Sequence, residues 1–215
     1  MMEHGRLGVE IIVTGPIGEN CYLLHDRETN AGLLIDPGAD EKKIMHAIEH
    51  CGAQVKQIVG THAHIDHLGV AASLQRRLSA VFSIHADEKQ WLRMLPQQAE
   101  FLGFPPTEIP VVDRELHHGD EIMVGNRRGT VLHTPGHTTG GIGLHFIDEK
   151  VVFVGDTLFE ESIGRTDLPG GSHQQIVESI RSQLFSLDDE TVVYSGHGPS
   201  TTIGAEREHN PFLRG

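Results

Sequence analysis

The chain has 215 residues, 38% hydrophobic and 22% charged, which is enough for a substantial buried core and ordinary for a globular protein. Its 30 acidic and 17 basic side chains leave a formal charge of −13, which argues against a nucleic-acid partner, because phosphate binding needs a basic surface. No run of about 18 apolar residues exists, so no membrane-spanning helix is expected, and the first residues lack the basic-then-apolar pattern of a secretory signal.

The chain opens with β-rich runs at 9–13, 21–24 and 33–35, separated by Gly, Asn and Asp turn signals. A helix follows over 40–50, with Asp40 as N-cap and Ile44, Ile48 and Cys51 recurring on one face. The apolar strand 55–59 runs directly into the segment Thr61-His62-Ala63-His64-Ile65-Asp66-His67. Beyond it Leu68, Ala71, Leu74 and Leu78 continue at helical spacing. A strand at 81–84, a helix at 88–94 and a proline-containing segment at 104–110 complete the first half. The second half repeats the style, with strands at 121–124, 130–134, 142–146 and 151–154. A helix over 173–185 opens on the capping box Ser172-x-x-Gln175, then come a strand at 191–194 and a short helix at 204–209. No linker, repeat or low-complexity tract interrupts the pattern, so a single domain over 1–215 is expected. Two β-rich halves with βαβ-like units predict two packed sheets with helices outside. Cys21 and Cys51 form no C-x-x-C pair. They read as small apolar residues in a reducing cytoplasm.

Residues 61–67 carry the chemistry. Three imidazoles and a carboxylate occupy six consecutive positions, on a loop between a strand end and a helix start. The pattern H-x-H-x-D-H would arise by chance about 0.005 times in a chain of this composition. Imidazole with carboxylate suits zinc, iron or manganese. Three further residues of ligand type follow strands, each beside glycine. They are His137 in Thr-Pro-Gly-His-Thr, Asp156 in Gly-Asp-Thr and His197 in Gly-His-Gly. The other eleven histidines need no such role. His46, His50 and His209 fall on solvated helix faces, His117 and His118 on a turn, and His133 and His145 among core-lining positions, with support of nearby His137 as the alternative for His133. Asp36, before Pro37-Gly38, is by position a turn former, with support of a metal ligand from behind as the alternative. Trp91 with Leu92 and Leu95 reads as core.

These motifs, in this order and spacing, resemble the metallo-β-lactamase superfamily over nearly the whole chain. Gly155-Asp156-Thr157-Leu158-Phe159, Gly164-Arg165-Thr166-Asp167 and Gly196-His197-Gly198-Pro199 resemble its glyoxalase II (hydroxyacylglutathione hydrolase) branch, in the single-domain bacterial form. The resemblance implies an α/β fold, an αββα sandwich of two mixed sheets flanked by helices. It also implies two divalent metal ions. His62, His64 and His137 would hold one, Asp66, His67 and His197 the other, and Asp156 would bridge them. Seven ligands exceed the four of one tetrahedral zinc. Zinc is the first expectation, with iron or manganese equally suited by donor type. The implied reaction is attack of a metal-bridging hydroxide on a thioester such as S-lactoylglutathione, with Asp66 and Asp156 as the catalytic carboxylates.

The match departs in one respect. Two-domain members carry a helical C-terminal domain that supplies glutathione contacts, and with 18 residues after His197 no counterpart is expected here, so glutathione specificity is not expected to carry over. The partner is then a small-molecule thioester, glutathione-derived or other. Arg165 is either a bidentate contact for a substrate carboxylate or part of a structural salt bridge. Two alternatives stay open: a persulfide dioxygenase with one iron, and a hydrolase of another ester or a lactone.

Overall fold

The computed structural model describes residues 2–214. Seven strands form the first sheet in sequential order: β1 (Met2–His4), β2 (Leu7–Thr14), β3 (Glu19–Asp26), β4 (Ala31–Ile35), β5 (Gln54–Val59), β6 (Val81–His85) and β7 (Arg114–Leu116). Strands β1 to β4 pair antiparallel, whereas β4 to β7 pair parallel. The parallel pairs need crossovers, which α1 (Glu41–Cys51), α2 (Ile65–Leu68) and α3 (Ala71–Leu78) supply. Between β6 and β7 the chain makes a 3₁₀ turn (Ala86–Glu88), α4 (Lys89–Leu92) and α5 (Leu95–Leu102).

The second sheet contains β8 (Glu121–Val124), β9 (Arg127–His133), β10 (Ile142–Phe146) and β11 (Val151–Gly155) as an antiparallel meander. A crossover through α6 (His173–Ser179) brings β14 (Val192–Ser195) parallel to β11, and β15 (Thr201–Thr202) closes the edge before α7 (Ile203–His209). A small hairpin, β12 (Leu158–Phe159) and β13 (Ser162–Ile163), stands apart from both sheets.

Strand alternation sorts the core into three layers. Cys21 and Leu23 of β3 face Ile44, Ile48, Leu74 and Leu95 of the helices, while Tyr22 and Leu24 face Val131, Phe146, Phe153 and Tyr194 across the other sheet. On the far side Leu132, Val152, Val154 and Val193 meet Ile176, Ile180, Leu184 and Ile203. Strand β3 is buried along its whole length because both of its faces are covered. The architecture is the αββα sandwich that the resemblance implies.

Several local expectations shift. Asp40 occupies the N-cap position but makes no side-chain cap, because its carboxylate accepts the Gly15 N–H at 3.0 Å instead. Ser172 does cap α6, accepting from Gln175 N–H at 3.3 Å. The helix expected over 173–185 widens after Ser179 into an i→i+5 turn, with Phe185 N–H on the Ile180 carbonyl. The helix expected over 88–94 is a 3₁₀ turn followed by one short α-helical stretch. Cys21 and Cys51 are free thiols. Among the described residues no helix is long and apolar enough to cross a membrane.

Candidate metal centre

Strands β4, β5 and β6 end at one edge of the first sheet, and β11 and β14 end together in the second. The residues that follow these ends, with the turn after β9, meet at one place. His62 Nε2 lies 3.1 Å from His64 Nδ1, and His137 Nε2 lies 3.0 Å from the same atom. Beside this trio, Asp66 Oδ2 is 3.1 Å from His197 Nε2 and 3.4 Å from His67 Nε2. Asp156 stands between the two groups. Its Oδ1 is 3.4 Å from His67 Nε2, and its Oδ2 is 3.6 Å from His137 Nε2 and 3.8 Å from His197 Nε2. The fold therefore brings together all seven residues singled out in the sequence.

These separations suit cations. Two donors about 2.0–2.1 Å from one tetrahedral zinc lie roughly 3.4 Å apart. His67 Nε2 and Asp156 Oδ1 are buried and lack any hydrogen-bond partner, although they face each other. Such groups are costly to bury unpaired, and a cation between them removes the cost.

Electrostatics separates the two groups. Burial and the neighbouring imidazoles push His62 well down, and burial with His137 pushes His64 down to about 4. Both rings are therefore neutral at pH 7, the form that ligates. Burial would lower His67 as well, but Asp156 and Asp66 outweigh it and hold its pKa well above the ordinary value. His197 is likewise raised, by Asp66 and Asp156 against its burial. In return His67 holds Asp156 and Asp66 below the usual carboxylate range despite burial.

A second circle of residues orients these side chains, and sequence reasoning found little of it. Asp36, read first as a turn former and alternatively as support for a ligand, is buried at φ 51°, and its carboxylate has three partners that fit the alternative. It accepts the Thr61 N–H at 2.7 Å and the Thr61 hydroxyl at 2.6 Å, and it lies 3.0 Å from His67 Nδ1. Thr61 Oγ1 is in turn 3.0 Å from His62 Nδ1, so one carboxylate orients a ring in each group. Glu88, fully buried, accepts from Ala63 N–H at 2.7 Å and Gly140 N–H at 2.8 Å, tying the loop of His62 to the loop of His137. Gln98 of α5 clamps the first loop from outside through Ile65 N–H and the Ala63 carbonyl. On the other flank Asn20 and Tyr22 donate to the Ser195 carbonyl beside His197. The signal for Asp36 was its place directly after the apolar run 33–35, and Glu88 and Gln98 had none.

Two glycines are required by space. A Cβ on Gly196 would lie 2.2 Å from Asp156 Oδ1 and 2.6 Å from His67 Cε1. A Cβ on Gly136, whose φ is +134°, would strike the backbone nitrogen of Ile176 at 2.2 Å. The Arg165 side chain is exposed and makes a bidentate pair with Asp167, both contacts at 2.8 Å, while its carbonyl lies 2.8 Å from His137 Nδ1. Trp91 is half-buried on the helix-side core, with its indole N–H 3.4 Å from Thr139 Oγ1. An open surface groove of about 710 Å³ runs along α6 and is lined by none of the seven residues. Donor chemistry, rather than size, marks the centre.

Comparison with known proteins agrees with fold and motifs. The family model of the metallo-beta-lactamase superfamily matches residues 14–197. The chain belongs to this superfamily of metallo-hydrolases, whose fold implies divalent metal ions. It is 37% identical over 209 residues to the hydroxyacylglutathione hydrolase GloC of Haemophilus influenzae, covering 96% of this chain and 98% of that protein. Among solved structures, the BLEG-1 B3 metallo-beta-lactamase superposes with a TM-score of 0.90 at 36% identity, covering 97% of this chain and all of the other. TTHA1623 in a di-iron-bound form superposes with a TM-score of 0.85 at 34% identity over 95% of this chain.

Proposed function

We propose that this chain is a binuclear metal-dependent hydrolase that cleaves small-molecule thioesters, with S-lactoylglutathione the first substrate to test. The observation that carries the reading is Asp156, whose two oxygens face both histidine groups at 3.4–3.8 Å. In this reading His62, His64 and His137 hold one ion, Asp66, His67 and His197 hold the other, and Asp156 touches both. The bound ions would supply a water acidified to a pKa of about 7 and a positive charge to polarise the carbonyl under attack.

The chain's own residues do the positioning. Asp36 and Thr61 fix the rings of His62 and His67, and the Arg165 carbonyl fixes His137 through its other nitrogen. Glu88 ties the two ligand loops to each other and Gln98 clamps the first of them, so the donors are held in place before substrate enters. Asp66, 3.1 Å from His197, keeps a negative charge beside the attack site. The likeness to an H. influenzae hydroxyacylglutathione hydrolase supports a thioester substrate. Zinc is the proposed metal, and the di-iron form of a structural neighbour supports iron as its alternative. The chain acts as one domain in a reducing compartment such as the cytoplasm, where Cys21 and Cys51 stay thiols.

A second reading, hydrolysis of a lactone or lactam ring, is favoured by the likeness to a B3 metallo-beta-lactamase and uses the same centre. The test is metal content per chain on protein purified without added metal, measured alongside thiol release from S-lactoylglutathione. Two ions with thiol release are expected. One iron, no thiol release, and oxygen uptake with glutathione persulfide would replace the hydrolase with a dioxygenase.

A further inference from the structure

A second group of imidazoles lies outside the centre just described. His85 ends β6 in the first sheet and His133 ends β9 in the second, so the two rings meet across the seam between sheets. They stack at 4.3 Å between centroids and 6° between planes. His117 stands 5.8 Å from His85, and Asp87 Oδ2 lies 3.8 Å from His85 Nδ1. One donor atom from each of His85, Asp87 and His133 falls within 4.8 Å of the others.

We propose that His85, Asp87 and His133 form a separate binding site for a borderline divalent cation of the zinc, nickel or copper class. Imidazole with one carboxylate is the donor set these ions prefer. Hydrogen bonds assign the lone pairs. His133 Nε2 lies 3.1 Å from the Thr139 carbonyl, which can only accept, so the proton sits on Nε2 and Nδ1 carries the free pair. A ligand histidine whose other nitrogen donates to a backbone carbonyl is the usual arrangement at metal sites. His85 Nδ1 accepts the Asp87 N–H at 3.2 Å, so its single lone pair points toward Asp87 and must leave that hydrogen bond to take an ion. The 3.8 Å between that nitrogen and Asp87 Oδ2 approaches the roughly 3.4 Å of two donors on one tetrahedral ion. Burial and the His133 ring keep His85 neutral and ready to ligate. Asp87 is exposed, which gives the ion a route in from solvent. Because the rings lie face to face, one must tilt for both pairs to reach the ion, so this site binds more weakly than a preorganised one.

The test is equilibrium dialysis of the full chain against buffered free Zn²⁺, with ions per chain counted by mass spectrometry. Asp87→Ala removes an exposed side chain, and His133→Phe keeps a flat ring stacked on His85, so both variants should fold. Each is expected to bind one ion fewer than the unmodified chain at saturation, whatever number the main centre holds. The full number of ions in either variant would overturn the proposal. His46 and His50 on α1 stack at 6.3 Å and offer the competing location. His50→Ala should therefore keep the full number, and loss of the ion there would equally overturn the assignment.

Discussion

The two halves of the metal centre are built from different donors. His62, His64 and His137 are all imidazole, and burial drives His62 and His64 toward the neutral state. Asp66, His67 and His197 mix a carboxylate with two imidazoles whose affinity for protons that carboxylate and Asp156 raise. His62 and His64 offer their lone pairs at neutral pH, while His67 and His197 hold protons that a cation must displace. Asp156 and Asp36 tie the unequal halves together, one from the ligand side and one from behind.

The sharpest way to break the comparison is Asp156→Ala. It removes the group shared by both halves, so both ions and nearly all turnover should be lost, exceeding the roughly 10²–10³ of a single oxyanion donor. Two ions per chain with ordinary thioester turnover would take Asp156 out of the centre. Next in size, His64→Ala and His197→Ala should each empty one half. Metal analysis of the pair would then show one ion retained in each, and loss of both in either variant would mean the halves do not bind independently.

Asp36→Ala should weaken metal binding about 10–100-fold, because it frees a ring in each half rather than removing a donor. Competition against a chelator measures it, and an affinity change confined to one half would separate Asp36 from the Thr61–His62 link. The pH dependence is the finer test of asymmetry. Protons compete for His67 and His197 at higher pH than for an ordinary imidazole, since both are raised, whereas His64 takes a proton only near pH 4. Dialysis at falling pH should therefore release the ion of the second half first. Simultaneous release, or the reverse order, would contradict the electrostatic difference. Arg165→Ala should have the smallest effect. Its guanidinium is paired with Asp167 and its carbonyl survives the change, so KM should move by about twofold at most. A tenfold rise in KM would place that guanidinium on a substrate carboxylate.

How much of this was legible in the chain depends on sequence distance. Residues 61–67 compress four donors into one loop, and His137, Asp156 and His197 each follow an apolar strand and sit beside glycine. Local patterns of that kind need no knowledge of the fold. The strands of the two sheets were equally readable, because alternation and apolar runs are local properties. The short pieces were not. Strand β7, the β12–β13 hairpin and β15 are two or three residues long and exist only because a longer strand or loop is already in place to pair with them.

The orienting residues mark the same boundary. Glu88 and Gln98 lie 25 and 33 positions from their partners in the first ligand loop, and in the sequence they are an acid and an amide among helical residues. Asp36 lies 25 positions from Thr61 and 31 from His67. The sequence alone therefore determined the donors, their chemical type and the strands that carry them. Only the tertiary structure decided how Asp36, Glu88 and Gln98 reach the ligand loops, which ring holds a proton, and where Arg165 points. Each of these depends on a distance between side chains remote in the chain, and local propensity carries no information about such distances.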